Sequence, residues 1–135
     1  MLKAAVLGAT GMVGQLFIHL LNKHPWFEVS VVAASERSAG LKYSQSAKWK
    51  LAAAIPESVR DLEVVDISPK AVRNVDVVFS ALPAEVAGKT EEDFAKAGYV
   101  IASNASSHRM EPDVPILNPE INYDHLCLID EQRRR

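Results

Sequence analysis

Leu2-Lys3-Ala4-Ala5-Val6-Leu7-Gly8-Ala9-Thr10-Gly11-Met12-Val13-Gly14 opens the chain with a short apolar run that stops at three glycines spaced three residues apart. An apolar run of this length, broken by glycine, reads as a buried strand entering a tight turn. Beyond the turn, Val13, Leu16, Phe17, Leu20 and Leu21 recur at i, i+3, i+4, i+7 and i+8, which predicts a helix with one apolar stripe. The helix should end near His24-Pro25, because a proline disfavours the helical conformation in the residue before it. Residues 29–34, VSVVAA, are β-branched and too few for a typical helix, so they read as a second strand buried on both faces. Strand, glycine turn, helix and strand make a complete βαβ unit.

The rest of the chain repeats the alternation. Residues 35–40 read as a loop, and residues 41–61 mix strand, turn and helix signals, so no function is assigned to them. Residues 62–67 form a third strand, and Ser68 is placed to cap a short helix starting at Pro69. Residues 75–79 form a fourth strand that runs into Ser80-Ala81-Leu82-Pro83. Val86, Thr90, Phe94 and Ala97 then share one helical face, Gly98 is placed to end that helix, and residues 99–102 form a fifth strand. This order predicts an α/β fold, a Rossmann-like doubly wound parallel sheet of about five strands. In the tail, Asp124 comes early and Arg133, Arg134 and Arg135 late, a charge order that suits a helix dipole.

Composition bounds the function. With 135 residues, 48% of them hydrophobic and 24% charged, the chain fits one domain over residues 1–135. Fifteen Lys and Arg against seventeen Asp and Glu leave no basic excess to attract nucleic acid or an anionic membrane, so small molecules are the expected partners. The single cysteine, Cys127, has no disulfide partner, and the first residues lack the apolar core of a signal peptide, which together point to the cytoplasm.

A helix N-terminus presents unpaired N–H groups and partial positive charge, so the turn from Gly8 to Gly14 is a natural phosphate site. Gly8, Thr10, Gly11, Met12, Val13 and Gly14 are therefore assigned to the pyrophosphate of a dinucleotide. The spacing is G-x-x-G-x-x-G where the usual dinucleotide fingerprint is G-x-G-x-x-G, so the match is one of context, and a turn that only packs helix on strand is the rival reading. After the second strand, NAD-specific folds place an acid on the ribose 2′-hydroxyl, whereas this chain has Ser35, Arg37 and Ser38, which suit a 2′-phosphate. NADP is preferred over NAD, with Glu36 as the contrary signal. Ser80 and Leu82 lie at the carboxyl end of the fourth strand, where such sheets bind ligands. Asn104 and Arg109 follow the fifth strand among serines, and an arginine there can clamp a phosphate or carboxylate bidentately. His19 and His24 have no paired carboxylate, Glu91, Glu92 and Asp93 read as a wet helix surface, and Cys127 as a buried, inert thiol. There is no metal-ligand cluster, and no Tyr is followed four residues on by Lys, which closes the short-chain dehydrogenase route.

The ordered set residues 6–14, 34–40, 79–83, 103–110 and 118–122, ending in Asn118-Pro119-Glu120-Ile121-Asn122, resembles the aspartate-semialdehyde dehydrogenases of the archaeal and fungal branch. The resemblance implies an oxidoreductase that uses NADPH to reduce aspartyl β-phosphate to aspartate semialdehyde and phosphate, on the route to lysine, methionine and threonine. It implies that Thr10 to Val13 cradle the pyrophosphate, that Ser35, Arg37 and Ser38 meet the 2′-phosphate, that Ser80 and Leu82 adjoin the nicotinamide half, and that Arg109, with Asn104 nearby, grips the substrate phosphate. In the family a cysteine thiolate displaces phosphate and hydride then releases the aldehyde. That cysteine sits in an Asn-x-Asn-Cys motif after the next strand, which Cys127 does not match. The expectation is therefore a cofactor-binding domain truncated before the sixth strand, without a catalytic residue of its own, binding NADP weakly and inactive alone. An unpaired fifth strand should favour self-association or low stability, and the parent enzyme is expected to be a homo-oligomer. The cofactor part of a malonyl-CoA reductase or an N-acetyl-glutamyl-phosphate reductase, and a non-catalytic NADP-sensing module, are the other readings.

Overall fold

The computed structural model describes all residues 1–135. Five parallel strands, β1 (Leu2–Leu7), β2 (Phe27–Ala34), β3 (Val65–Asp66), β4 (Val77–Ser80) and β5 (Ile101–Ser103), form one sheet in the order β3-β2-β1-β4-β5. The chain leaves β1 toward one side for β2 and β3 and returns to its other side for β4 and β5. The switch point therefore lies at the carboxyl end of β1, as a doubly wound sheet requires. Helix α1 (Met12–Leu21) and the single-turn helices α2 (Tyr43–Ser46) and α3 (Glu57–Arg60) accompany the first half, and α4 (Ala84–Lys96) joins β4 to β5. Pro119–Asn122 (α5), a 3-10 turn at Tyr123–Cys127 and Leu128–Arg134 (α6) end the chain. The expected tail helix is thus three short pieces.

Side chains of alternate strand residues go to two cores. Val6, Val29, Val32 and Ala34 pack with Ile18, Leu21, Tyr43 and Val59 on one face, and Ala5, Leu7, Ala33 and Val78 pack with Leu82, Ala87 and Phe94 on the other. The alternation in β2 slips at Ser30, because the β1–β2 register skips from Val29 to Val31. A bulge adds one residue to β2 and keeps Val29 and Val32 on the same side. The Ser30 hydroxyl is left buried without a partner.

Several expectations change. The apolar stripe on α1 is only partly its buried face: Leu21 is buried and Phe17 packs against the core, whereas Val13, Leu16 and Leu20 are exposed and Gly14, Gln15 and Ile18 face the sheet. The cause is a backbone contact. A Cβ on Gly14 would lie 2.1 Å from the Gly8 carbonyl oxygen, so only the glycine edge of the helix can press this close, and that contact sets the rotation of the helix. On α4 the buried line is Ala87, Glu91 and Phe94, with Val86 and Ala97 exposed. The third strand keeps only two paired residues, and Ser68 caps a turn rather than a helix, its Oγ accepting from the Ala71 amide at 3.2 Å. Cys127 is exposed, contrary to its reading as a buried thiol. Gly98, at φ +90°, does end α4.

Gly14→Ala should destabilise the chain toward or beyond the upper end of the about 1–3 kcal/mol typical of overpacking, because the Gly8 backbone cannot rotate away. Urea unfolding checks this, with Gly40→Ala, a left-handed glycine in open space, separating backbone strain from the clash.

Candidate functional site

In a parallel sheet every carboxyl strand end lies at the same edge, and here that edge gathers the turn after β1, the loop after β2 and the loops after β4 and β5. At the turn, Gly8 takes φ +73°, and a Cβ there would meet the Ala81 carbonyl oxygen at 2.7 Å. Gly8 and Gly14 are thus required by the protein's own backbone. Gly11 differs, because a Cβ there would reach only ordinary contact, 3.5 Å from Gly8 O, and its outer side is open. Gly11 is the N-cap of α1, no side chain caps this helix, and the Met12 and Val13 amides have no partner in the protein. Met12 and Val13 are themselves exposed. Free amides, positive helix end and an uncrowded glycine form a cradle that fits an anion such as a diphosphate.

Loop residues 35–40 leave β2 as a turn in which the Ser38 amide donates to Ser35 O at 2.9 Å. Ser35 and Arg37 are exposed, and the Arg37 guanidinium has no carboxylate partner, so it is free to meet a ligand. Glu36 is exposed as well.

The segment given no function turns out to build the outer wall of the cradle. Thr10, Gly11, Met12, Gln15, Ser46, Lys48 and Lys50 line a cleft of about 310 Å³. Gln15, 1% exposed, fastens the wall: Nε2 donates to Thr10 O and Lys48 O, both at 3.0 Å, and Oε1 accepts from the Lys50 amide at 2.9 Å. Tyr43, fully buried, donates from its hydroxyl to Ala9 O at 2.7 Å, and burial pushes its phenol well above the ordinary tyrosine range. Lys48 and Lys50 are exposed and form no ion pair. In the sequence only the Lys48-Trp49-Lys50 triplet marks this wall.

On the far side of β1, the loops after β4 and β5 meet. Leu82 is 6% exposed beside Gly8. Ser80 is fully buried, its hydroxyl donates to Glu91 Oε1 at 2.7 Å and its carbonyl accepts from the Asn104 amide, so that hydroxyl faces α4 and no surface of Ser80 is open to a ligand. Glu91 is 5% exposed, which corrects its reading as wet surface. Arg109 and Asn104 are both exposed and adjacent, with Nη2 donating to Asn104 O at 3.3 Å. His108 holds this loop to α4: its Nε2 meets Gly88 O at 2.8 Å and its Nδ1 meets Glu111 Oε1. The Glu111 hydrogen bond raises the imidazole above its ordinary value and, reciprocally, the His108 and Arg135 bonds lower the Glu111 carboxyl. A larger cavity, about 540 Å³, opens at the amino ends of β1 and β2 among Ile18, Phe27, Ile55 and Val59, away from all of these residues. No three His, Cys, Asp or Glu residues converge as a metal site, and no helix is long and apolar enough to cross a membrane.

The chain is similar to known proteins in sequence and in fold. Residues 3–129 match the family described as semialdehyde dehydrogenase, NAD binding domain. All 135 residues align at 58% identity with the aspartate-semialdehyde dehydrogenase of Methanothermobacter thermautotrophicus, covering 39% of that protein. The malonyl CoA reductase (NADP) of Metallosphaera sedula aligns at 42% identity over 99% of this chain and 37% of its own length. A crystal structure of aspartate semialdehyde dehydrogenase with NADP from Candida albicans superposes with a TM-score of 0.91 at 46% identity, over 98% of this chain and 37% of that one. The chain thus spans less than two fifths of the length of these relatives. It belongs to the semialdehyde dehydrogenase family, whose NAD-binding domain it forms.

Proposed function

We propose that this chain is the NADP-binding part of an aspartate-semialdehyde dehydrogenase. The observation that carries the reading is the uncapped N-terminus of α1, whose free Met12 and Val13 amides open onto the switch point of the sheet beside Gly11. The residues fit a dinucleotide. Thr10, Gly11, Met12 and Val13 hold the diphosphate, with Gly8 and Gly14 shaping the turn beneath it. Arg37 with Ser35 and Ser38 takes the 2′-phosphate, since a guanidinium makes charge-assisted bonds to a dianion that a bare hydroxyl would not reward. Leu82, carried on the end of β4 at Ser80, borders the nicotinamide side. A bound NADPH would supply hydride to the acyl carbon of the thioester that forms when a cysteine thiolate of the enzyme displaces phosphate from aspartyl β-phosphate. Arg109 and Asn104, exposed at the end of β5, bind the phosphate of that substrate.

A malonyl-CoA reductase is the second reading, favoured by the Metallosphaera relative. The two diverge at Arg109, which receives a phosphate group in the first and need not in the second. The higher identity to an aspartate-semialdehyde dehydrogenase supports the first.

Calorimetric titration of the purified chain should give tighter binding of NADP than of NAD. Arg37→Ala should weaken NADP about 10- to 100-fold, the equivalent of one charge-assisted contact, and leave NAD unchanged. No dinucleotide binding by the folded chain would overturn the reading. Lys48→Gln with Lys50→Gln should weaken NADP and NAD alike by a few fold, with a smaller loss at high salt, since exposed lysines act through a screened field.

A further inference from the structure

Three residues on one side of α4, Ala84, Gly88 and Glu91, stand at i, i+4 and i+7, and each is bonded to the end of β5 or the loop after it. Ser107 Oγ donates to Ala84 O at 3.1 Å, His108 Nε2 meets Gly88 O, and Ser103 Oγ donates to Glu91 Oε1 at 2.5 Å. Only Glu91 reaches both neighbouring strand ends. The same Oε1 that accepts from Ser103 also accepts from Ser80 at 2.7 Å. From these two serines the order passes outward by short steps. The Ala105 amide donates to Ser103 Oγ at 2.9 Å, the Asn104 amide donates to Ser80 O at 3.0 Å, and Arg109 donates to Asn104 O.

We propose that Glu91 is a positioning residue for the substrate-phosphate site: its single oxygen Oε1 ties the ends of β4 and β5 together and so places Asn104 and Arg109. The proposal rests on the reading of Arg109 as a phosphate ligand and extends it to the residue that sets the geometry of that site. Packing alone does not account for Glu91. A carboxyl group is an expensive occupant for a position between Ala87 and Phe94, where apolar contact alone would favour a leucine. Its value lies in directional acceptance, since an oxygen that takes two hydroxyl donors holds two loops at a fixed separation, which an apolar side chain does not do.

Three variants test this with inorganic phosphate as the probe, read by the backbone amide resonances of Ala105 and Arg109, and with NADP titrated in parallel. Glu91→Gln keeps an accepting oxygen and should bind phosphate within about twofold of the parent, as rescue by an isosteric acceptor requires. Glu91→Leu keeps the volume and removes the acceptor. It should stay folded, weaken phosphate on the order of tenfold through a loosened site, and change NADP by far less. Ser103→Ala cuts the same link at the sheet edge without touching the core, and should reproduce the phosphate loss even where the leucine variant does not fold. Parent-like phosphate binding in Glu91→Leu or Ser103→Ala, or a glutamine variant as weak as the leucine one, would overturn the proposal while leaving the cofactor reading intact. A parent chain whose Arg109 amide ignores phosphate would remove the anion-clamp reading itself and the proposal with it.

Discussion

The contact between the first turn of α1 and the Gly8 carbonyl is the constraint on which the rest of the molecule depends. Gly14 presses its bare Cα against Gly8 and Ala9, with no room for a methyl group. This close approach rotates the helix so that Ile18 and Leu21 enter the core and Gln15 turns toward the segment beyond β2. It also aims the helix axis at the carboxyl edge of β1, where the free amides gather. Packing and anion binding therefore share one cause: the helix dipole is useful to a ligand because the glycine contact lets the helix start so close to the strand end.

Two buried polar side chains, with Tyr43, extend that order into the loops. Gln15 and Tyr43 fasten the wall of residues 43–50 to the turn on one side of β1, and Glu91 fastens the loops after β4 and β5 on the other. Gln15, Tyr43 and the Glu91 Oε1 all find hydrogen-bond partners in places where an unpaired polar group would cost about 1–3 kcal/mol. The result is a hydrogen-bonded sheet edge that carries four exposed cations, Arg37, Lys48, Lys50 and Arg109.

The sequence was legible where periodicity and local chemistry decide the structure. The five strands, their parallel order, the glycine turn and the end of α4 at Gly98 all follow from short-range pattern. What escaped it depends on partners distant along the chain. Which face of α1 is buried follows from Gly14 meeting Gly8, not from the spacing of its leucines. The wall residues Lys48 and Lys50 belong to the cleft because Gln15 bonds to them across 33 and 35 positions, and residues 41–61 have no regular period to announce it. Glu91 looked wet because it stands in an acidic triplet with Glu92 and Asp93. It is buried because it continues the line from Ala87 and has two serine hydroxyls to receive. The exposed apolar residues Val13, Leu16 and Leu20 misled for the converse reason, as hydrophobic spacing alone does not state which side faces the sheet.

The central claim is that the anion cradle at the start of α1 receives the dinucleotide. The most direct test is amide mapping by heteronuclear NMR of the labelled chain as NADP is added. The account predicts the largest shifts at Gly11, Met12 and Val13, accompanying shifts at Ser35, Arg37 and Ser38, and none at Ile18, Ile55 or Val59 around the cavity at the amino ends of the strands. Shifts confined to that cavity, or a folded chain whose Met12 and Val13 amides do not respond, would contradict it.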